Sequence, residues 1–264
     1  MQGRWWLGVG LAATAAAGCN AILGLGEPSV IDAGADVVTA GNGDGSETAQ
    51  GDTTITRPPG LAPCSSQAPF PSTPVLDHFD SPLDSRWLDK AGAFSVQSGQ
   101  LVGSSSAALY WSVPFGPNQE VYADFIDWDP RLYRLSLVLK KQNPAGMCDD
   151  VIPYYSESMG ATGRAIQVEY CWGNIPHGKG EIVAIDFPRG KQFGARIFAD
   201  GRVDLYVDHQ CFFGTKFDTE GPEAAPWMSQ GGFIGVETVP VKDLPLGKPP
   251  VWDEFGGGTI SPDL

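Results

Sequence analysis

An excess of 31 acidic over 17 basic residues gives this 264-residue chain a net charge of −14, which repels phosphate backbones and anionic lipid surfaces and weighs against nucleic acid as a partner. Its 34 glycines and 22 prolines exclude a mainly helical protein, because both residues break helix interiors and mark turns. Outside the N-terminus no run of about eighteen apolar residues is present that would span a bilayer as a helix.

The chain opens on an address. Arg4 supplies a positive start, Trp5 to Ala17 an apolar stretch too short to span a membrane, and Ala16-Ala17-Gly18-Cys19 the small residues that a signal peptidase requires. The last four resemble a bacterial lipobox, with Ala16 where that motif usually carries leucine. The resemblance implies residues 1–19 as a lipoprotein signal, lipidation at Cys19, and an exported chain held at the bacterial cell envelope by its lipid anchor alone. Ordinary cleavage at Ala15-Ala16-Ala17 would give a secreted protein instead.

Residues 20–60 read as a disordered linker: from Glu27 to Gly60 they are rich in Asp, Gly, Thr and Ala and nearly lack large apolar side chains, so burial cannot offset the entropy of ordering. Asn42-Gly-Asp44-Gly-Ser46-Glu47 imitates a calcium loop but lacks its carboxylate ladder.

Residues 61–264 carry 25 acidic and 15 basic side chains, a net charge of −10, and read as one all-β domain. Ala93 to Gln97 and Gln100 to Gly103 flank Ser98-Gly99, and Ala195 to Ala199 and Arg202 to Val207 flank Asp200-Gly201. Each is an alternating pair around a tight turn, the mark of a β-hairpin. Val203, Leu205 and Val207 are then expected to face one way. Further strands are expected at Ala107 to Val113, Glu120 to Ile126, Leu132 to Leu139, Ala165 to Cys171, Glu181 to Asp186 and Gly232 to Val236. So many short strands fit a two-sheet antiparallel sandwich.

Asp77-His-Phe79-Asp80 with Trp87, then Phe94-Ser-Val, Gly99-Gln-Leu101 and Tyr122-Ala-Asp-Phe125, resemble the opening strands of concanavalin-A-like jelly-roll modules, the laminin-G and glucanase-like superfamily. Arg202 to Asp208, Gly232-Phe-Ile-Gly235 and Trp252 to Gly258 stand where such modules carry their last strands. The likeness spans about residues 75 to 260 and implies a jelly roll.

Beyond Cys19 there are four cysteines, Cys64, Cys148, Cys171 and Cys211. An even number in an exported chain predicts two disulfides, with the pairing open. No CxxC spacing supports a metal site.

The catalytic signatures are missing. The paired glutamates of the jelly-roll glucanases are absent, and in Glu120 to Asp127 the alternation sends Asp127 to the face opposite Glu120 and Asp124. No nucleophile elbow accompanies His78, His177 and His209. The richest segment is Tyr170 to Glu181, read as a loop, where Trp172, Asn174 and His177 set an aromatic ring beside amide and imidazole groups, the mixture that sugar-binding walls use. Asp127-Trp128-Asp129 and Tyr154-Tyr155 offer similar chemistry in what read as other loops. Tryptophans at positions 128 and 172 also suit core packing. Asp127, Asp129, Asp149 and Asp150 carry the oxygens calcium takes, as in some modules of the resembled superfamily, but a solvated acidic rim explains them without a metal, and no cofactor is expected. The reading is a non-catalytic surface module for carbohydrate or another extracellular polymer. Its rivals are a glycoside-processing enzyme of the same fold and a purely structural envelope lipoprotein.

Overall fold

The computed structural model describes residues 60–264 except 90–91, 104–105, 130–132, 147–148, 160–162, 174, 180–182, 186, 188, 221–223 and 241–247. The signal, Cys19, nearly all of the linker, Cys148 and Asn174 lie outside the described residues.

The described residues contain strands and no helix, in two antiparallel sheets. The first sheet runs β14 (Gln210–Lys216), β13 (Arg202–Val207), β12 (Lys191–Ile197), β6 (Gln119–Asp127), β16 (Val251–Thr259), β4 (Gln100–Gly103) and β3 (Phe94–Gln97), with β1 (Val75–Asp77) paired to β16. The second runs β10 (Ile175–Lys179), β9 (Gly163–Trp172), β8 (Asp150–Met159), β7 (Tyr133–Lys141), β15 (Phe233–Pro240), β5 (Ala107–Trp111) and β2 (Trp87–Asp89), with β11 (Val183–Ala184) paired to β9. The expected jelly-roll sandwich is present. Both hairpins form: Ser98 and Gly99 take positive φ between β3 and β4, and Gly201 does so between β12 and β13.

Alternation builds the core. Val121, Ala123 and Phe125 on β6 and Val203, Leu205 and Val207 on β13 meet Leu135, Leu137 and Leu139 on β7 and Ile166 and Val168 on β9 in one apolar cluster. Trp128 belongs to it, 2% exposed, with its ring about 6 Å from those of Phe125, Tyr155 and Phe187. This corrects its expected place in a binding wall: the indole is enclosed and offers no face to a ligand. Tyr154 and Tyr155 also lie on a strand, β8, and not in a loop.

The outward face of the first sheet is closed by the chain itself. Asp204, Arg196 and Glu120 stand opposite one another on β13, β12 and β6, and the neighbouring row is Tyr206, Gly194, Tyr122 and Gly256. The segment from Leu61 to Thr73 lies over both rows. Ser65 and Ser66 donate backbone N–H groups to Asp204, and Ser72 and Thr73 donate theirs to Glu120. Arg196, wholly buried, donates to Glu120 at 2.7 Å and to the carbonyls of Ala68 and Pro69. Phe70 lies flat on Tyr206, centroids 3.9 Å apart, over Gly194, where a Cβ would come within 2.1 Å of its ring. The disulfide Cys64–Cys211 fixes the start of this strap to β14. Cys171 is disulfide-bonded as well.

Beyond the strap, burial pushes Asp124 up to about 6; Gln192 donates to it and opposes the shift, while Glu254 and Asp253 add to it. Because the folded value exceeds the unfolded one, the fold favours the neutral acid. That contribution is complete below about pH 4 and is lost as pH rises through 6. Asp124→Asn is therefore expected to raise the melting temperature at pH 8 and leave it nearly unchanged at pH 4. Thermal scans giving the same change at both values would refute this.

A bulge sets up the opposite side of the molecule. Lys140 adopts φ 54° where β7 slips by a residue against β15, and its N–H is held by Gln119 Oε1 at 2.7 Å. Its buried amine donates to the carbonyls of Phe198 and Met228, and burial draws its pKa down to about 8. The extra residue reverses the alternation, so Lys141 emerges on the outward face of the second sheet.

Candidate functional site

That outward face has no described strand over it, yet it holds buried polar groups. Core residues on either side fix which positions point outward: Tyr110 on β5, Glu237 on β15, Arg134, Ser136 and Lys141 on β7, Asp150 and Tyr154 on β8, Gln167 and Glu169 on β9. In register, Ala108, Glu237, Ser136, Tyr154 and Gln167 form one row across five strands.

The side chains interlock. The Arg134 guanidinium lies 3.7 Å from the Tyr154 ring centroid and 3.6 Å from the Glu169 carboxylate. The Tyr154 hydroxyl is 2.8 Å from Glu169 Oε1 and 2.6 Å from Gln167 Oε1. Lys141 Nζ donates to Asp150 Oδ2 at 2.8 Å in a pair that water hardly reaches. Gly235 admits the close approach of β5: a Cβ there would lie 2.2 Å from the Leu109 carbonyl and 2.9 Å from the Tyr110 ring.

Satisfaction is incomplete. Ser136 Oγ, Asp150 Oδ1, Gln167 Nε2 and Arg134 Nε are buried without a hydrogen-bond partner. Ser136, Asp150 and Gln167 are each at most 3% exposed. Tyr154's single hydroxyl proton serves either Glu169 or Gln167, and whichever way the Gln167 amide turns, one of its polar atoms is left over. Buried polar groups are normally paired, and leaving one unmet costs about 1–3 kcal/mol. Core indoles of Trp128, Trp227 and Trp252 and the Gln192 Oε1 of the first sheet are unpaired too, but they are scattered, whereas these four gather on one face.

The Glu237 carboxyl makes no hydrogen bond or ion pair with any described residue. Burial is the leading cause that pushes it up to about 7; Arg134 and Lys141 pull it down, while Asp150 and Glu169 push it further up. Burial also raises the hydroxyls of Tyr110 and Tyr154 well above the usual phenol range.

Of the residues singled out in the sequence, Tyr154 and Asp150 stand on this face, and the others lie elsewhere. Trp172 and His177 share the core side of the second sheet with Tyr170, at its edge: His177 stacks on Tyr170 at 5.7 Å and meets Trp172 at 5.6 Å, and Tyr170 packs on Phe217. Their segment is the end of strand β9 with strand β10, not a loop. Asp127, at the end of β6, is ion-paired with Arg189 and Lys248. Asp129 is half-buried and accepts an N–H from Tyr133 through its carbonyl. Among the described residues no group of three or more His, Cys, Asp or Glu is placed to hold a metal ion. The set as a whole was missed because its members are spread over five strands with no motif joining them. The visible signal was a polar residue at alternate positions of apolar strands, as in Gln167-Val-Glu169 and Gly235-Val-Glu237.

No family model matches the chain, and no curated protein does. Among solved structures, an endo-β-1,3-glucanase from Pyrococcus furiosus superposes with a TM-score of 0.50 at 14% identity, over 70% of this chain and 94% of its own. A prokaryotic β-1,3-1,4-glucanase (lichenase) derived from a mouse hindgut metagenome gives 0.49 at 12% identity, over 70% and 98%. The carbohydrate recognition domain of Emp47p gives 0.49 at 11%, over 70% and 95%. At 14% identity the likeness to the first is one of fold, a two-sheet antiparallel jelly-roll sandwich.

Proposed function

We propose that this protein binds carbohydrate on the outward face of the second sheet. The observation that carries the reading is the gathering of unpartnered buried polar atoms on that face, from Arg134, Ser136, Asp150 and Gln167. Sugar hydroxyls both donate and accept, so one polyol satisfies a mixed set of donors and acceptors. The other face is covered by the strap, which leaves this one for a partner. The fold is shared with an endo-β-1,3-glucanase, which makes a soluble β-glucan the first probe. A signal ending at Cys19 and a linker before the domain would hold the module at the envelope, and this remains part of the proposal.

Affinity electrophoresis of the purified protein through gels containing soluble β-1,3-glucan, xylan, mannan or dextran tests it. Retardation by at least one polymer is expected. Arg134→Ala and Gln167→Ala should each weaken it about 5- to 30-fold, the loss of one or two hydrogen bonds, some to charged groups. Trp172→Ala, on the other side of the sheet, should leave it within about twofold, well inside the loss of a single hydrogen bond. No retardation by any polymer, or loss of binding in Trp172→Ala alone, overturns the assignment.

A second reading rests on Glu237. A carboxyl protonated near neutrality is what a general acid in glycoside cleavage requires. Release of reducing ends from the same polymers, abolished in Glu237→Gln, would favour an enzyme.

A further inference from the structure

The outward face holds a carboxyl that meets two cations only at a distance and has no ion pair with a described residue. Glu237 stands in mid-row between Ala108 and Ser136, with strands on both sides. Neither neighbour donates to its carboxyl. Around it are Tyr110 from β5, Arg134, Ser136 and Lys141 from β7, Asp150 and Tyr154 from β8 and Glu169 from β9. The two cations are already engaged: Lys141 with Asp150, and Arg134 with Glu169 and the Tyr154 ring. The two acids add negative potential.

We infer that capture of a polyol on this face is linked to a proton: the ligand binds with Glu237 neutral and loses affinity when Glu237 ionises. The inference rests on the proposed carbohydrate-binding reading. A ligand laid across the row strips the remaining water from Glu237. An ionised carboxylate without a counter-ion in contact is penalised by that loss far more than a neutral acid is. The neutral acid also gains by binding, because its O–H donates to a sugar oxygen while its carbonyl accepts from a sugar hydroxyl. Burial has already brought the group to about 7 in the free protein, so the switch falls in the neutral range. By linkage, a ligand that prefers the protonated form raises the pKa on binding, and affinity declines as pH rises through the free value.

Affinity for soluble β-1,3-glucan, xylan, mannan and dextran, measured by affinity electrophoresis at pH 5.5, 7 and 8.5, tests the inference. For whichever polymer binds, affinity should be about tenfold lower at pH 8.5 than at pH 5.5, the effect of a one-unit rise in pKa on binding. In Glu237→Gln the profile should be flat, whatever its absolute affinity. A flat wild-type profile, or a slope that persists in Glu237→Gln, overturns the inference and leaves the carbohydrate reading standing. Absence of binding at every pH overturns both. As a readout independent of any variant, the carboxyl carbon of Glu237, followed by NMR with and without the polymer, should titrate at higher pH in the complex. An unmoved or lowered midpoint refutes the linkage.

Discussion

Arg196→Met is expected to lower the melting temperature by about 6–12 °C, the largest effect of any single substitution argued for this protein. Arg196 is fully enclosed and donates to Glu120, Ser66 and Tyr206 and to two strap carbonyls. Methionine fills much of the volume but answers none of these groups, and Glu120 is left as a buried charge without its counter-ion. Breaking a buried pair from one side costs about 3–5 kcal/mol, and about 1 kcal/mol moves the midpoint of a domain this size by about 2–4 °C. Glu120 keeps the N–H groups of Ser72 and Thr73, which holds the loss toward the lower end. Thermal unfolding followed by circular dichroism measures it. The double variant Glu120→Gln/Arg196→Met should recover part of the loss, because the stranded charge is gone. A shift under about 2 °C in the single variant would mean that water reaches the pair and screens it.

The fold could be read from the sequence because its instructions are local. Ser98-Gly99 and Asp200-Gly201 each name a turn, and Val203, Leu205 and Val207 name a core face within one strand. Strand β10 was hidden because Gly173, Pro176 and Gly178 carry the signals of a loop, and its pairing with β9 is made by register and not by composition. The candidate site was hidden for a related reason. Glu237, Ser136, Tyr154 and Gln167 become neighbours only through three strand registers, and a polar residue on a strand reads the same whether water or a ligand meets it. Trp172 drew attention because aromatic rings are conspicuous in a sequence, yet its alternation with Cys171 places it on the core side. The Lys140 bulge, which turns Lys141 toward Asp150, was equally silent: positive φ at lysine has no sequence signal, since it is imposed by Gln119 from another strand.

Replacing both Cys64 and Cys211 by serine is expected to destabilise the protein by about 2–4 kcal/mol, the usual contribution of a bond that closes a long loop, while glycan binding persists. The bond joins residues 147 apart, so its loss restores a large conformational freedom to the unfolded chain. In the folded state it fixes the first residues of the strap, whose next contacts are the N–H groups of Ser65 and Ser66 on Asp204. Those should be the first to open. Hydrogen exchange should therefore quicken at Ser65 and Ser66 more than at Ser72 and Thr73, which remain on Glu120 beneath Arg196. The second sheet shares the core with the first but, among the described residues, takes no hydrogen bond from the strap, so Arg134, Gln167 and Glu237 keep their places. Urea unfolding, hydrogen exchange and affinity electrophoresis on the same double variant separate these effects. Binding lost in a variant that still unfolds cooperatively would show that the strap and the outward face of the second sheet are coupled, and that the site is not confined to the face on which its residues stand.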